Sequence, residues 1–233
     1  MIQLKEIKES ILQMVFPHVC SGCGSDLLNV ESSLCMRCIH ALPETNFERH
    51  AGNPVEKIFW GRLKLESAAA TYYFTKESMV QHLMHQFKYK NNKDLCLQMG
   101  RMMAQNFKQS GRFIVDALIP LPLFPGKEKR RGYNQATLLC EGMAEVIKVP
   151  VLNDVIIRPE HTETQTKKGR VERWKNMDGK FFMINPEKIS GKHLLLVDDV
   201  VTTGATLDAC GTELLKAENV KLSIATLCFA SRI

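Results

Sequence analysis

The sequence LLLVDDVVTTGAT, residues 194–206, decides the fold. A run of apolar residues of strand length ends at Asp198 and Asp199, and a short loop that carries hydroxyl groups and one glycine follows. Beyond the loop, apolar or small residues recur at positions 207, 210, 211, 214 and 215, which predicts a helix with one buried face. A strand, a tight loop and a helix in this order form one unit of an α/β fold.

The junction between this strand and its helix has the properties of an anion-binding site. Unpaired N–H groups and the positive end of the helix dipole meet at a helix N-terminus. The loop adds hydroxyl donors and, at its glycine, a close backbone approach; its residues are Val201, Thr202, Thr203, Gly204, Ala205 and Thr206. The alternative is that Asp199 or a threonine only caps the helix, which would account for one polar residue but not for the whole pattern.

The stretch lacks the glycine patterns of a nucleotide P-loop and of a dinucleotide-binding fold. It resembles the phosphoribosyl pyrophosphate (PRPP) motif of type I phosphoribosyltransferases. The resemblance implies that Asp198 and Asp199 are the catalytic acids and hold the ribose hydroxyls. It also implies that residues 201–206 wrap the 5-phosphate of the ligand.

The length of the chain, 233 residues, leaves room for one ordinary domain and a small accessory one, which we expect at residues 51–233 and 1–50. Charged residues interrupt residues 1–16, and the apolar residues between them follow helical spacing. We therefore expect a short amphipathic helix there and no signal peptide. No stretch approaches the roughly 20 apolar residues of a membrane span, so a cytoplasmic location is expected.

The formal charge of +6 is unevenly distributed along the chain. One basic cluster contains Lys127, Lys129, Arg130 and Arg131, and another contains Lys167, Lys168, Arg170, Arg173 and Lys175. Basic loops suit phosphate groups, whether these belong to a small molecule or to a nucleic-acid strand. A solvated surface accounts equally well for a run of charges, so charge alone does not decide between these interpretations.

Four of the eight cysteines form two Cys-x-x-Cys pairs in one short segment: Cys20, Cys23, Cys35 and Cys38. Four thiolates on two tight knuckles are the ligand set of a structural zinc site, with iron as the alternative metal. Two disulfides are the competing interpretation, although proteins of the cytosol seldom keep them. The remaining cysteines (Cys96, Cys140, Cys210 and Cys228) lie on apolar faces, where reduced core cysteines are expected.

Hydrophobic patterns along the rest of the chain predict strands that alternate with helices, and therefore a parallel sheet flanked by helices. We expect strands at 67–74, 114–123, 151–158, 181–184, 193–197 and 221–229, with an irregular linker at 44–61. Helices are expected around 79–87, 95–107 and 136–147. Lys88 and Tyr89, at the end of the first of these helices, could reach the mouth of a ligand site.

A second strand–loop–helix unit contains the most basic connection, a turn expected at 125–135. A pyrophosphate group needs several cationic donors held close together, and arginine offers bidentate geometry for it. Lys129, Arg130 and Arg131 are the candidates. The polar segment at 159–177 is either a lid, which would bring Arg170 and Arg173 over the site, or a surface insertion.

Placed together, these segments resemble the ComF family over nearly the whole chain. The features that carry the resemblance are Phe16-Pro17 with the cysteine pairs, Pro120-Leu-Pro-Leu123, Arg131-Gly-Tyr-Asn-Gln135, Arg158, Thr164-Gln165, Arg173-x-x-Asn176, Phe181 and the PRPP motif. The resemblance implies a type I phosphoribosyltransferase fold behind a small zinc-binding domain. It also implies an association with competence, the uptake of DNA in natural transformation, beside a DNA helicase or translocase.

Two functional hypotheses follow. The first is an enzyme that transfers the phosphoribosyl group from PRPP to an unidentified nitrogen acceptor, with Mg²⁺ on the pyrophosphate. The second is a binding protein that keeps the PRPP pocket and also holds single-stranded DNA or a translocase partner, with Tyr133 and Trp174 as aromatic residues that could stack on bases. A purely structural protein would leave the acidic pair and the threonine loop without a purpose.

Overall fold

The computed structural model describes residues 18–26, 32–159 and 181–230. The helix expected at residues 1–16 falls outside these residues, as does most of the segment at 159–177. Arg170, Arg173 and Trp174 therefore lie outside the described part of the chain.

Four of the six described strands form one parallel sheet. In chain order the strands are β1 (Ser67–Tyr73), β2 (Ala117–Pro120), β3 (Ile156–Ile157), β4 (Phe182–Met183), β5 (His193–Val201) and β6 (Lys221–Phe229). The sheet order is β1-β6-β5-β2, which places the strand of the acidic pair in the interior of the sheet. The parallel sheet predicted from the sequence is thereby confirmed.

Helices cover the sheet and supply most of the remaining core. They are α1 (Met36–His40), α2 (Pro54–Phe59), α3 (Met79–Tyr89), α4 (Lys93–Ser110), α5 (Pro125–Arg131), α6 (Gln135–Ile147) and α7 (Ala205–Leu214), with 3₁₀ turns at Phe47–Arg49 and Pro186–Lys188. Side chains cap four of them: Asn53, Ser78, Asn92 and Asn134 each accept a hydrogen bond from a backbone N–H of the first turn. None of the described helices has the length and apolarity that a bilayer crossing requires.

The cysteines outside the two pairs occupy the core as expected. Cys96, Cys140, Cys210 and Cys228 are free and buried, and burial raises the pKa of each of these thiols. Asn219 adopts the left-handed conformation that the sequence suggested, with a φ of 55°, in the connection between α7 and β6.

The structure differs from the sequence expectations in two connections. The supposed linker at 44–61 contains α2, because Pro54 occupies the first helical turn and the Asn53 side chain accepts hydrogen bonds from the N–H groups of Val55 and Glu56. The supposed basic turn begins with α5, which Pro125 likewise starts and Gly132 ends with a φ of 79°. In both places, turn-forming residues mark helix ends and not an irregular loop.

The strand expectations also need two corrections. The expected strand at 151–158 contributes only β3, which pairs antiparallel with β4 and leaves a single bridge between Leu118 and Val151 to the main sheet. The motif strand, expected to end at residue 197, continues to Val201, so the two acids lie within β5. The apolar run therefore marked the buried part of this strand and not its end.

Candidate functional site

The acidic pair lies in the last third of β5 and is held by strand pairing. Asp198 aligns with Thr226 of β6, and the next aligned pair is Val200 with Cys228. Both acids are partly buried. Since neighbouring residues of a strand point to opposite faces, the two carboxylates have different surroundings.

Asp199 has a cationic partner. Its Oδ2 lies 2.6 Å from Nζ of Lys88, the penultimate residue of α3, and the two side chains are only 13% and 19% exposed. An ammonium group at this distance offsets the negative charge of the carboxylate. The expectation that Lys88 could reach a ligand mouth thus corresponds to a specific contact with the motif.

Asp198 is in a different electrostatic state. Its Oδ1 accepts a hydrogen bond of 2.8 Å from the Asp199 backbone N–H, and among the described residues no cation lies in ion-pair contact with it. Burial of its carboxyl, followed by the negative charge of Asp199, raises the pKa of Asp198 to about 8. Burial therefore favours the protonated form of Asp198, whereas Asp199 has a cation in contact.

The loop after β5 forms a small cup at the N-terminus of α7. A cavity of about 50 Å³ is lined by Asp198 and residues 200–207. The N-cap residue is Gly204, which has no side chain, and the N–H of Ala205 donates to Oγ1 of Thr203 at 3.5 Å. Asp199 is bound to Lys88 instead, so the simple capping interpretation of the acids does not describe this site. The next N–H groups of the first turn, those of Thr206 and Leu207, have no intrahelical acceptor and are available to an anion.

Helix α2 and the turn that follows it pack against the loop that forms the cup. Gly204 has a φ of 71°, and a Cβ built on it would lie 2.6 Å from Cγ2 of Ile58 and 2.8 Å from Cε1 of Phe59. Arg62 donates from Nη1 to the Thr203 carbonyl at 3.2 Å and from Nη2 to Oδ2 of Asp208 at 2.7 Å. These contacts fix the loop in one conformation before any ligand arrives.

A larger cleft of about 190 Å³ adjoins the cup, and Asp198 and Thr206 line both cavities. Its walls are the ends of β2 and β5, the last turn of α3, and the helices α5 and α6. The lining residues are Lys88, Leu121, Pro122, Leu123, Lys127, Arg131, Asn134, Gln135, Ala136, Arg158, Asp198, Asp199 and Thr206. The cleft thus lies at the carboxyl ends of parallel strands, where open α/β sheets place their ligands.

The basic residues proposed from the sequence do not all reach this cleft. Arg131 lines it, and its Nη1 donates to Oε1 of Gln135 at 2.7 Å. Lys129 and Arg130 are exposed on α5 and are not among the lining residues. Apart from Lys88, the polar or charged lining residues that were not proposed from the sequence as site residues are Lys127, Asn134, Gln135 and Arg158. The motif around residues 131–135 and Arg158 was a signal for three of them.

Tyr133 does not have the role suggested for it. The residue is buried, its hydroxyl donates to the Phe87 carbonyl, and its ring packs under Nζ of Lys93 at 5.4 Å. It therefore cannot stack on a base. Tyr89, by contrast, is 63% exposed at the end of α3, and the Arg131 guanidinium lies 5.9 Å from its ring centre.

The four paired cysteines come together in one cluster. Their Sγ atoms all lie within 4.8 Å of one another, and Cys23 and Cys35 Sγ are 3.7 Å apart. A tetrahedral zinc site with Zn–S bonds of about 2.3 Å requires S–S distances of about 3.8 Å. Backbone N–H groups of Gly22 and Cys35 point at Cys20 Sγ, at 3.4 and 3.2 Å, as donors to a thiolate would. The cluster can hold a metal ion such as zinc.

Gly22 is required for this arrangement, since a Cβ at its position would lie 2.8 Å from Cys38 Sγ. All four cysteines are free thiols, so the disulfide interpretation does not describe the structure. The buried residues of the segment, Cys20, Leu34, Cys38 and Leu42, are continuous with the hydrophobic core of the sheet. The cysteine cluster is therefore attached to the body of the protein through packed apolar side chains.

Comparison with known proteins gives the family. The phosphoribosyl transferase domain family matches residues 134–233. Competence protein F of Haemophilus influenzae is 28% identical over 196 residues, which cover 82% of this chain and 81% of that protein. Competence protein ComFC of Bacillus subtilis is 26% identical over 193 residues, covering 81% of this chain and 74% of that protein. These relatives, together with the domain match, support a ComF family protein.

The DNA utilization protein YhgH of Escherichia coli strain K12 extends the match. It is 26% identical over 215 residues, which cover 90% of this chain and 89% of the relative. The similarity therefore extends well beyond the residues that the domain family matches. The family resemblance and the phosphoribosyltransferase fold predicted from the motifs are both confirmed.

Proposed function

We propose that this ComF family protein binds PRPP, or a related phosphoribosyl ligand, across the two joined cavities. The observation that carries the proposal is their arrangement: a cup of about 50 Å³ at a helix N-terminus opens beside a larger cationic cleft of about 190 Å³. Asp198 and Thr206 line both. A ligand with a phosphate at one end, a ribose in the middle and a second phosphate group at the other matches this shape.

Each part of the site has a role in this proposal. The loop at residues 201–206 binds the 5-phosphate with threonine hydroxyls and the free N–H groups of α7. Asp198 lines both cavities and Asp199 lines the larger cleft, and both accept hydrogen bonds from the ribose hydroxyls. Lys88, through its 2.6 Å contact, offsets the charge of Asp199 and fixes its side chain. Arg131 faces the pyrophosphate end.

The donor set also fits Mg²⁺. Carboxylate oxygens are the protein ligands that this ion prefers, and two adjacent carboxylates border the cleft. When bound with PRPP, Mg²⁺ neutralises charge on the leaving pyrophosphate. The chain itself positions the ribose and, through Lys88 and the basic residues of the cleft, offsets the negative charge of the ligand.

We further propose transfer of the phosphoribosyl group to a nitrogen acceptor. The bond between ribose C1 and the pyrophosphate oxygen breaks, and pyrophosphate leaves with the electron pair. A bond forms between C1 and the acceptor nitrogen, which releases its proton to solvent. The test is pyrophosphate release from PRPP and Mg²⁺ with a panel of nucleobases and with ammonia. Release that exceeds that of an Asp198→Asn variant supports turnover, and equal release by both proteins refutes it.

The names of the relatives support a role in DNA uptake, since these proteins are called competence and DNA utilization proteins. A non-catalytic partner of a DNA helicase or translocase is the second candidate function. One surface favours it: the exposed Tyr89 adjoins α5, on which Lys127, Lys129 and Arg130 are exposed. An aromatic ring beside a basic helix can stack on a base while cations contact phosphates.

This second function predicts measurable binding to single-stranded DNA. A fluorescein-labelled oligonucleotide should bind with an affinity that falls steeply as salt rises. Changing both Lys129 and Arg130 to Ala should reduce the slope of log affinity against log salt by about 1 to 2. Pyrophosphate release should stay unchanged in that variant, since neither residue lines the cleft. Binding that does not respond to salt would exclude a phosphate-contacting surface.

A further inference from the structure

The last turn of α3 contacts two separate parts of the protein. Nζ of Lys88 lies 2.6 Å from Oδ2 of Asp199, in the ligand cleft. Two residues earlier, Nε2 of Gln86 donates to the Ser21 carbonyl at 2.8 Å. Because an α-helix turns by about 100° per residue, side chains at these two positions point in roughly opposite directions. The last turn of α3 thus connects the backbone at Ser21 with the acidic pair.

Ser21 belongs to the first cysteine knuckle, between Cys20 and Cys23. Its N–H donates to the Ser33 carbonyl at 2.8 Å, and the N–H of Gly24 closes the turn on the Cys20 carbonyl at 2.9 Å. Both cysteines of the knuckle belong to the four-cysteine cluster, so a metal ion bound there holds this turn closed. The position of the Ser21 carbonyl therefore depends on the cluster.

Asn92 makes a second connection at the same point. Its Nδ2 donates to Oγ of Ser21 at 3.0 Å and to Oε1 of Gln86 at 3.3 Å. The Gln86 Nε2 also lies 3.0 Å from Nε2 of His82, one turn earlier on α3. Both ends of the Gln86 amide thus have partners, which fixes its orientation. None of these residues lines the ligand cleft or the cup, so any effect of Gln86 on a ligand there is indirect.

The position of Lys88 makes such an anchor important. The last carbonyl groups of a helix have no intrahelical donors, and helix ends therefore fray readily. Lys88 lies in this last turn, and fraying would move its Nζ away from Asp199. Phe87, between Gln86 and Lys88, is fully buried, and its carbonyl accepts a hydrogen bond from the Tyr133 hydroxyl. The core thus holds one side of the turn, and the cysteine knuckle holds another.

We propose that Gln86 is a positioning residue for the phosphoribosyl site. It anchors the last turn of α3 on the first cysteine knuckle and thereby keeps Lys88 in contact with Asp199. The inference rests on the proposed phosphoribosyl function and adds a connection between that site and the four-cysteine cluster. Because the anchor is the backbone of a knuckle, metal binding in the cluster and ligand binding in the cleft are coupled equilibria.

The test is calorimetric titration of the full-length, zinc-loaded chain with PRPP in the presence of Mg²⁺. Gln86→Met keeps the length of the side chain and removes its hydrogen bonds, and it should weaken PRPP binding about 5- to 10-fold. Lys88→Met should weaken binding at least as much. The double variant Gln86→Met/Lys88→Met should bind PRPP as Lys88→Met does, because the anchor then has no lysine to position.

Gln98 offers a matched control. It also bonds the segment of the four cysteines, since its Oε1 accepts from the Ser33 N–H at 2.6 Å and its Nε2 donates to Oγ of Ser32 at 3.3 Å. Gln98 lies on α4, however, and no residue of that helix lines the ligand cleft. Gln98→Met should therefore remove a comparable pair of bonds and change the PRPP affinity by less than about 2-fold.

A second measurement follows the metal and requires no turnover. The zinc affinity of each protein is determined by competition with a chromophoric chelator, with and without PRPP. Coupling is reciprocal, so PRPP should tighten zinc binding by the factor by which zinc tightens PRPP binding, about 5-fold in the wild-type chain and in Gln98→Met. In Gln86→Met this factor should fall below about 2-fold, because the connection between the two sites is lost.

The outcomes separate the two proposals. If the wild-type chain binds PRPP and Gln86→Met binds it as tightly, the positioning role is refuted and the phosphoribosyl function stands. The role is also refuted if Gln98→Met loses as much affinity as Gln86→Met, or if Gln86→Met causes its full loss in the Lys88→Met background. If the wild-type chain does not bind PRPP, the proposed function fails and this inference fails with it.

Discussion

The substitution Gly204→Ala tests whether the loop after β5 is a rigid, preformed anion site. Gly204 has a φ of 71°, and a Cβ there would lie 2.6 Å from Ile58 Cγ2 and 2.8 Å from Phe59 Cε1. The left-handed conformation costs a non-glycine residue about 1 to 2 kcal/mol. The overlap with α2 adds about 1 to 3 kcal/mol. Together these costs predict a loss of about 2 to 5 kcal/mol.

This cost can appear as lost stability or as lost binding, depending on whether the loop yields. If the loop moves to relieve the strain, the affinity for ribose 5-phosphate should fall at least 30-fold, since 1.4 kcal/mol corresponds to a factor of 10. If the loop holds, the free energy of unfolding should fall by the same amount. Urea unfolding and calorimetric titration of one preparation measure both quantities.

Gly191 offers a matched control for this experiment. It also has a φ of 71°, but a Cβ there would meet nothing within 4 Å. Gly191→Ala should therefore lose only the conformational cost, about 1 to 2 kcal/mol of stability, and leave ligand affinity unchanged. Adding Ile58→Ala to Gly204→Ala should recover only the Ile58 share of the steric cost, because the overlap with Phe59 Cε1 remains. A Gly204→Ala protein with wild-type stability and affinity would refute the preformed loop.

Three further predictions follow from the site. In the ligand-free protein, the raised pKa of Asp198 means that the folded chain holds a proton that the unfolded chain has lost, so the free energy of unfolding should fall as pH rises from about 5 to 8. We expect a decline of about 1 to 3 kcal/mol in the wild-type protein and none in Asp198→Asn. A parallel decline in both proteins would contradict this prediction. Lys88→Met leaves the Asp199 carboxylate partly buried without its cation, which should lower the free energy of unfolding in urea by about 3 kcal/mol. The double variant Lys88→Met/Asp199→Leu should recover much of this lost stability. If it recovers none, the Lys88–Asp199 ion pair does not account for the loss. Chelation should release one zinc per chain, measured by elemental analysis. It should also lower the melting temperature, because the buried residues around the four cysteines pack in the same core as the sheet. An unchanged melting temperature would show that the metal is dispensable for stability.

The sequence was sufficient to predict the architecture because the decisive signals were local. The apolar run at 194–197 and the alternation at 221–229 correspond to β5 and β6, and the spacing of Leu207, Cys210 and Leu214 to the buried face of α7. The spacing of the four cysteines was likewise sufficient to predict that they form one cluster. Patterns of this kind need no knowledge of distant contacts.

The rest depended on contacts between residues far apart in the chain. Lys88 reaches Asp199 of β5 from helix α3. The guanidinium of Arg158 contacts the rings of Phe124 and Phe181, which are distant from it in the sequence or separated by a connection. Charge counting favoured the dense run of Lys129 and Arg130, yet a helix turns those side chains to solvent and leaves Arg131 on the cleft. The position of each residue around the helix axis decides which cations of a basic run face a ligand. These positions could not be assigned while the segment was interpreted as a turn.

The same reasoning changes how the acidic pair itself is understood. Two adjacent aspartates in a sequence appear equivalent, but their placement within β5 directs them to different surroundings. Asp199 is bound to Lys88 at 2.6 Å, while Asp198 has no cation in contact among the described residues and a pKa near 8. If both carboxylates were ionised and unpaired, their repulsion would be severe in a partly buried site. The lysine from α3 offsets the charge of Asp199, and protonation of Asp198 removes the repulsion between the two acids. The pair can therefore exist in the folded, ligand-free chain, and a ligand that needs both acids charged must displace the proton from Asp198.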